Sequence, residues 1–400
     1  MASSSSFVGY HFDMPKKDLV DFDKKVYHPD LKIRVNEYIA QAKEGPVHPI
    51  VNVFTKDELL PIEKIQANLP RNIYGHDLAY NLVLKMFFGD LVNHMTRHQS
   101  QTSCAVGMDP HTDAWRAFYQ KTHVHPNIVA TDLSKQEAST SPVFVERFHE
   151  WVCFNTLIED DVHATILYNL TCGLDSYYLI VDDVIYVTLR GHSSGHFLTT
   201  LFNSFQVWAG YKLVFMDLAP DLTFEKEVSL GTGGDDSIGT VSNAAADRFN
   251  MITISKGFMD KFGMKCTGSN KAGELVPFYQ TSDPEHIFLS RRFLGHGDRI
   301  AAPLKKEAIK NLVMWTAKVP GMNQEQVDKL RFDIALKEAS VHGRPYYKEV
   351  RDFIFACCKN HGVTPPRLPT WAQAQQAINA NYYGSYIGVS SGVVAPALKA

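Results

Sequence analysis

Cysteine is scarce in this chain: six among 400 residues, at positions 104, 153, 172, 266, 357 and 358. No CxxC pair and no His/Cys spacing of the zinc-binding kind occurs, which excludes a zinc ribbon or a disulfide framework and fits reduced thiols in a cytosolic setting. An excess of positive charge is missing too, since 40 Lys and Arg face 43 Asp and Glu for a net charge of -3. A basic coat over the whole surface is therefore excluded, and any nucleic-acid contact must be a local channel. Long apolar runs are also lacking. The most apolar stretch, Tyr177 to Val187, is interrupted by Asp182 and Asp183, and the opening Met-Ala-Ser-Ser-Ser-Ser has no basic start leading into an apolar core. Neither a signal peptide nor a membrane span is expected. No repeat of fixed period occurs, and low complexity is confined to the first serines and the small residues after Tyr386.

What is present is enough apolar material for a substantial core, 45% hydrophobic against 21% charged. The length suggests about two or three domains. From Tyr10 to about His123, charged helix-friendly segments mix with loops; strand-like and helical segments alternate from about Asn127 to Phe293. Beyond Pro303 the pattern turns helical. Asn323 with Gln326 forms a capping box ahead of Val327, Leu330 and Ile334, and Pro345 opens a further helix with Tyr346, Val350, Phe353 and Ile354 on one face. Cys357, Cys358, Trp315 and Trp371 read as core packing of that helical part, and Lys305, Lys306 and Lys310 as a solvated helix face. The fold class is α+β, a mixed body followed by a helical domain.

Two groups of carboxylates stand out. Asn127 to Asp132 reads as a short buried strand delivering an acid at its end, with Glu137 following in a polar turn. Val228 to Val241 reads as a hairpin whose tip is Gly233-Gly234-Asp235-Asp236. Adjacent carboxylates repel unless a cation lies beside them. Magnesium takes oxygen ligands, usually one or two carboxylates with substrate phosphates, so Asp132 and Asp235 on neighbouring strands could hold a metal pair suited to phosphoryl transfer.

Between them, Leu189 to Phe205 is a glycine-punctuated loop running into a helix with Leu198, Leu201, Phe202, Phe205 and Trp208 as its apolar stripe. Thr199 and Asn203, four apart, project together from the other side and could meet a substrate hydroxyl, or simply form an exposed polar face. The loop also contains Gly191-His192-Ser193-Ser194-Gly195, which matches the G-x-S-x-G nucleophile elbow. In that rival reading Ser193 is a hydrolase nucleophile, Asp235 the acid, and His286, His296 or His342 the base. No HGGG-like oxyanion segment accompanies it.

In order along the chain, these residues resemble the motifs of RNA-dependent RNA polymerases of picornavirus-like positive-strand RNA viruses. Gly234-Asp235-Asp236 looks like their motif C, with Gly233 where tyrosine is usual. Ser194-Gly195, Thr199 and Asn203 match the S-G-x3-T-x3-N spacing of motif B, and Asp132 through Glu137 is similar to motif A. Lys56-Asp57-Glu58-Leu59 with Lys64 and Arg71 resembles motif F. Lys271 stands where the motif D lysine is expected, and Phe288 to Phe293 resembles motif E.

The resemblance implies a right-hand architecture: partial fingers at 1–90, palm at 91–145 and 191–300 around a fingers insertion at 146–190, a helical thumb at 301–385, and a tail at 386–400. It implies template-directed RNA synthesis with two Mg2+ ions, for which Mn2+ can substitute, held by Asp132 and Asp235 with Asp236 in support. Lys64 and Arg71 would hold the triphosphate and Lys271 would protonate the pyrophosphate. Glu137, Ser194, Thr199 and Asn203 would read the ribose through its 2'-hydroxyl, and Arg291 and Arg292 would contact the primer backbone.

Implied partners are RNA template and primer, ribonucleoside triphosphates and other viral replication proteins, in host cytoplasm on membrane-associated complexes. Three residues or segments depart from the pattern. Glu137 replaces an aspartate, Leu69 replaces a basic residue of motif F, and motif F begins only 55 residues in, so part of the N-terminal fingers is expected to be missing. A catalytically incomplete RNA-binding piece is the alternative.

Overall fold

A computed structural model describes residues 16–384 apart from 22–23, 25, 57–59, 61, 69, 183, 189, 270–273, 281–285, 297–298, 316–318 and 320. Two four-stranded sheets organise it. The first, outer sheet contains β1 (Ile50–Thr55), β2 (Asn72–His76), β4 (Tyr177–Val181) and β5 (Val184–Thr188) in the order β2-β1-β4-β5, with β1 and β4 parallel and the other pairs antiparallel. The second, central sheet is wholly antiparallel. Its order is β8-β3-β7-β6, from β3 (Asn127–Ser134), β6 (Val228–Gly233), β7 (Asp236–Val241) and β8 (Lys265–Gly268).

The inner strand β3 carries Ile128, Val129, Ala130 and Leu133, all buried, so its sequence reads as an apolar run rather than an alternation. It continues two residues past Asp132, which therefore lies within the ladder instead of at its end. Against the sheet lies the long helix α4 (Thr199–Leu218), which buries Leu201, Phe202, Val207, Tyr211, Val214 and Phe215. Further helices are α1 (Pro29–Glu44), α2 (Leu78–Arg97), α3 (Asp113–Thr122) and α5 (Met251–Phe262). Together these elements enclose one core running from Leu19 to Ala302.

A second core belongs to α6 (Lys306–Met314), α7 (Gln324–Val341), α8 (Arg344–Asn360) and α9 (Trp371–Gly384), around Ile309, Phe332, Leu336, Tyr346, Val350 and Ile354. The Asn323 and Gln326 capping box opens α7 as the sequence predicts, each side chain meeting the other's backbone N–H. Trp315 is a correction. It follows α6 with extended backbone, where the helix has ended, and is 40% exposed rather than buried in the core. Trp371 does pack against that core.

All six cysteines are free. The Asn169 amide is buried and donates to the Ala42 carbonyl at 2.9 Å, a structural role for a side chain that fits a glycosylation tripeptide. Among the described residues no helix is long and apolar enough to cross a membrane.

Candidate active site

Strand register brings the acids together. Asp132 on β3 is paired with Asp236 on β7, and the N–H of Leu133 donates to the Asp235 carbonyl at 3.3 Å. Two separate motifs a hundred residues apart thus share one end of one sheet. Asp132 is buried, Asp236 half-buried and Asp235 exposed, a gradient from the floor of a site to its mouth. The turn between β6 and β7 depends on Gly234, whose φ of +74° is the left-handed conformation that glycine adopts without strain. Its N–H donates to Ser204 Oγ on α4 at 2.9 Å, tying the hairpin tip to the helix. Beneath the acids, the hydroxyls of Thr131, Tyr211 and Ser237 form a buried triangle with sides of 2.7, 2.8 and 3.0 Å, which fixes the strands laterally.

The loop ahead of α4 is held from two sides. Gly195 lies directly under the carbonyl of Tyr74 on β2, where a β-carbon would overlap it. Asn81 clamps the same loop, donating to the Gly195 carbonyl at 3.3 Å and accepting the Phe197 N–H at 3.1 Å. On the other side, the N–H groups of Gly191 and His192 donate to the carbonyls of Thr140 and Glu137 at 3.2 and 2.8 Å. Glu137 is also near β2. The Tyr74 hydroxyl has its pKa raised by burial and further by the Glu137 charge. The outer sheet, the Ser-Gly loop and the segment after β3 therefore meet at one place.

Asp132, Asp235 and Asp236 are brought together. Asn203 and Thr199 are buried rather than on an exposed face. Thr199 donates its hydroxyl to the Ser193 carbonyl at 3.0 Å and so braces the loop. Asn203 Oδ1 is buried with no hydrogen-bond partner. Ser194 is exposed on the loop. Arg71 is exposed at the foot of the β1–β2 ladder, where its carbonyl accepts the Lys56 N–H at 2.8 Å. Lys64 lies in the short helix Ile62–Gln66, with its side chain outside the described residues, as are all of Lys271 and Leu69.

Arg291 requires a correction. Its guanidinium forms two contacts of 2.8 Å with Glu338 on α7 and a third with the Ala302 carbonyl, so it anchors the helical domain rather than offering a free cation to a nucleic-acid backbone. Arg292 next to it is half-buried and has no ion pair among the described residues.

The hydrolase reading of Ser193 fails on its surroundings. Ser193 is fully buried and its hydroxyl meets His76, whose Nδ1 has no partner and whose pKa burial pushes down to about 3. Of the three expected bases, His286 is engaged with His123 and His342 with the Leu304 carbonyl, and the side chain of His296 lies outside the described residues.

Sequence reasoning missed Ser204 and His76 altogether. Ser204 follows Asn203 directly, but nothing local says that it will meet a hairpin 30 residues on.

The family model described as viral RNA-dependent RNA polymerase matches residues 1–357. The replicase polyprotein of Cricket paralysis virus is 25% identical over 81% of this chain, which spans 19% of that polyprotein. For the RNA1 polyprotein of Grapevine fanleaf virus the figures are 27%, 80% and 14%. The chain thus spans less than a fifth of the length of these curated relatives. The solved structure of the Sicinivirus 3Dpol RNA-dependent RNA polymerase has the same fold, with a TM-score of 0.80 at 19% identity over 96% of this chain and 78% of that one.

Proposed function

This chain belongs to the viral RNA-dependent RNA polymerase family, and from that premise we propose that it builds RNA on an RNA template from ribonucleoside triphosphates by metal-assisted nucleotidyl transfer. The observation that carries the reading is the register of Asp132 against Asp236, with Asp235 one hydrogen bond away. Strand register sets three carboxylate residues at one end of a sheet, although among the described residues no three acids, histidines or cysteines are gathered closely enough to form a ready-made metal site; carboxylate oxygens of this kind suit magnesium or manganese and not a softer metal. Asp132 and Asp235 would hold the ions and Asp236 would support them. Bound divalent ions supply charge neutralisation for the attacking and leaving oxygens.

The chain's own residues do the rest. Arg71 with Lys64 receives the triphosphate from the β1–β2 side, and Lys271 delivers a proton to the departing pyrophosphate. Glu137, Ser194 and Asn203 line the position of the ribose, with Thr199 holding the loop that carries Ser194. Arg292 contacts the primer backbone. In this reading the segments up to residue 90 and 146–190 form fingers, 91–145 and 191–300 the palm, and 301–385 the thumb, in keeping with the separate core around Leu336 and Val350. Work in host cytoplasm alongside other replication proteins follows from the same reading.

The test is primer extension on a homopolymeric RNA template with magnesium or manganese, beside Asp235→Asn and Asp132→Ala. Ribonucleotide incorporation that falls more than about a thousandfold in both variants supports the proposal. RNA retention without any incorporation by the unaltered chain would replace it with an RNA-binding module.

A further inference from the structure

Phe288 to Arg291 close a two-residue turn, the N–H of each end donating to the carbonyl of the other at 2.9 Å. Between them Leu289 and Ser290 have φ of +50° and +62°, the left-handed pair that asparagine and glycine suit and leucine does not. Leu289 is also 37% exposed, so neither turn chemistry nor core burial accounts for a leucine there. A side chain held in a costly conformation and partly in solvent points to a local task.

The two methyl carbons of Leu289 lie over Gly233, the last residue of β6. A β-carbon on Gly233 would stand 3.1 and 3.3 Å from them and 3.0 Å from the Phe288 ring, so the bare glycine and the leucine fit each other closely. Gly233 is paired with Asp236, and Asp235 lies in the turn between them. The 288–291 turn itself has two anchors. Phe288 is fully buried and stacks on Phe118 of α3, with centroids 5.2 Å apart at 16°. The other anchor is the chain that enters the helical domain. There the Lys305 N–H donates to the Ser290 carbonyl at 2.9 Å and the Arg292 N–H to the Pro303 carbonyl at 3.1 Å, while the Arg291 guanidinium holds Glu338 on α7.

We propose that Leu289 is a positioning residue that couples the helical domain to the carboxylate turn: residues 303–305 and Glu338 set the 288–291 turn, and Leu289 presses that setting onto Gly233 and so onto Asp235 and Asp236. A shift of the helical domain is then felt at the acids through one apolar contact, while Ser204 holds the same hairpin tip from α4. The strained turn is what aims the leucine at the hairpin. This inference rests on the polymerase reading above, in which those acids are catalytic.

The experiment compares Leu289→Asn, Leu289→Met, Glu338→Gln and the double variant Leu289→Asn with Glu338→Gln, by primer extension, urea unfolding and amide hydrogen exchange of the whole chain. Asparagine adopts the left-handed turn more readily than leucine but removes the apolar contact. Leu289→Asn should unfold at the wild-type urea midpoint or above it. Its kcat should fall about tenfold with nucleotide KM within about twofold, and exchange in residues 228–241 should quicken about tenfold while α7 is unchanged. Leu289→Met should recover most of the kcat. Glu338→Gln should lower kcat in the wild type but by less than about twofold in the Leu289→Asn background, where the transmitting contact is already gone.

Losses that multiply in the double variant, or wild-type kcat and hairpin exchange in Leu289→Asn, would overturn the inference. So would a lower urea midpoint with faster exchange throughout the chain, which would make Leu289 a residue of the fold alone. If the wild type incorporates nothing, exchange decides: quickening confined to residues 228–241 in Leu289→Asn and no greater in the double variant upholds the coupling while the polymerase reading falls. Unchanged hairpin exchange in an inactive chain would overturn both.

Discussion

Ser204 Oγ accepts the N–H of Gly234 at 2.9 Å while its own hydrogen goes to the Thr200 carbonyl at 2.8 Å. The helix that carries Asn203 and the turn that carries Asp235 are thereby one rigid unit, joined through a single buried hydroxyl. Ser204→Ala leaves the Gly234 N–H without its acceptor and is expected to cost about 1–2 kcal/mol in stability. Incorporation should lose about tenfold in kcat with nucleotide KM within about twofold, since the metal-binding turn loosens while the ribose contacts remain. Steady-state kinetics with a urea titration would show it, and an unchanged kcat would remove the role assigned to this hydroxyl.

Gly195→Ala is expected to fail more severely. The added methyl group overlaps the Tyr74 carbonyl, so either β2 or the Ser-Gly loop must move, and both border the proposed nucleotide position. A loss of about 3 kcal/mol or more and undetectable incorporation are expected. Gly45→Ala is the control: nothing lies within 4 Å of a β-carbon there and its φ of 179° suits any residue. Calorimetry of the two variants should differ widely.

The Arg291 and Glu338 pair gives an acid-sensitive anchor. Burial alone would raise the Glu338 pKa, but hydrogen bonds from Arg291 and His111 overcome it and hold the carboxyl down at about 2. A carboxyl depressed in the folded state stabilises the protein above its unfolded pKa of about 4.3, and that contribution disappears as pH falls through the folded value. Glu338→Gln should therefore cost about 3 kcal/mol at pH 7, a penalty that shrinks between about pH 4.3 and pH 2. Urea midpoints across that range would detect the convergence; a constant gap would show that the ion pair does not control it.

His76 works in a higher window. Burial holds it neutral with its pKa at about 3, so the unfolded chain takes up a proton below about pH 6.5 that the folded chain refuses. The stability present above about pH 6.5 should fall on acidification, by about 2 kcal/mol at pH 5 for this residue alone. His76→Gln is expected to flatten that part of the profile. Unfolding measured at pH 7.5 and pH 5, where the Glu338 contribution is still in place, separates the two effects.

The legible parts of this molecule are those whose causes lie close together in sequence. The hairpin at Asp235 follows from Gly233-Gly234 between two alternating segments, and the start of α7 from Asn323 and Gln326 three residues apart. What was not legible depends on partners supplied from far away. Thr199 and Asn203 read equally well as a solvated face, because the β2 strand and the 136–140 segment that bury them lie more than 50 residues upstream. Arg291 looks like a free cation until Glu338, 47 residues on, closes over it. His76 and Ser193 carry no local sign of one another across 117 residues. The apolar stretch from Tyr177 to Val187 was plain in composition, yet its exposure follows only from its place in the sheet order.

That place has a practical result. Strand β5 is the outermost of its sheet, no described residue pairs with its outer edge, and Ile185, Tyr186 and Val187 are 65%, 52% and 64% exposed. An open edge with greasy side chains on both faces is a template on which a second chain can add its own strand. Purified chain should clump on warming before its interior melts, so heat inactivation would depend on protein concentration and heating rate. Lysines set into this strand should extend shelf life without touching the chemistry.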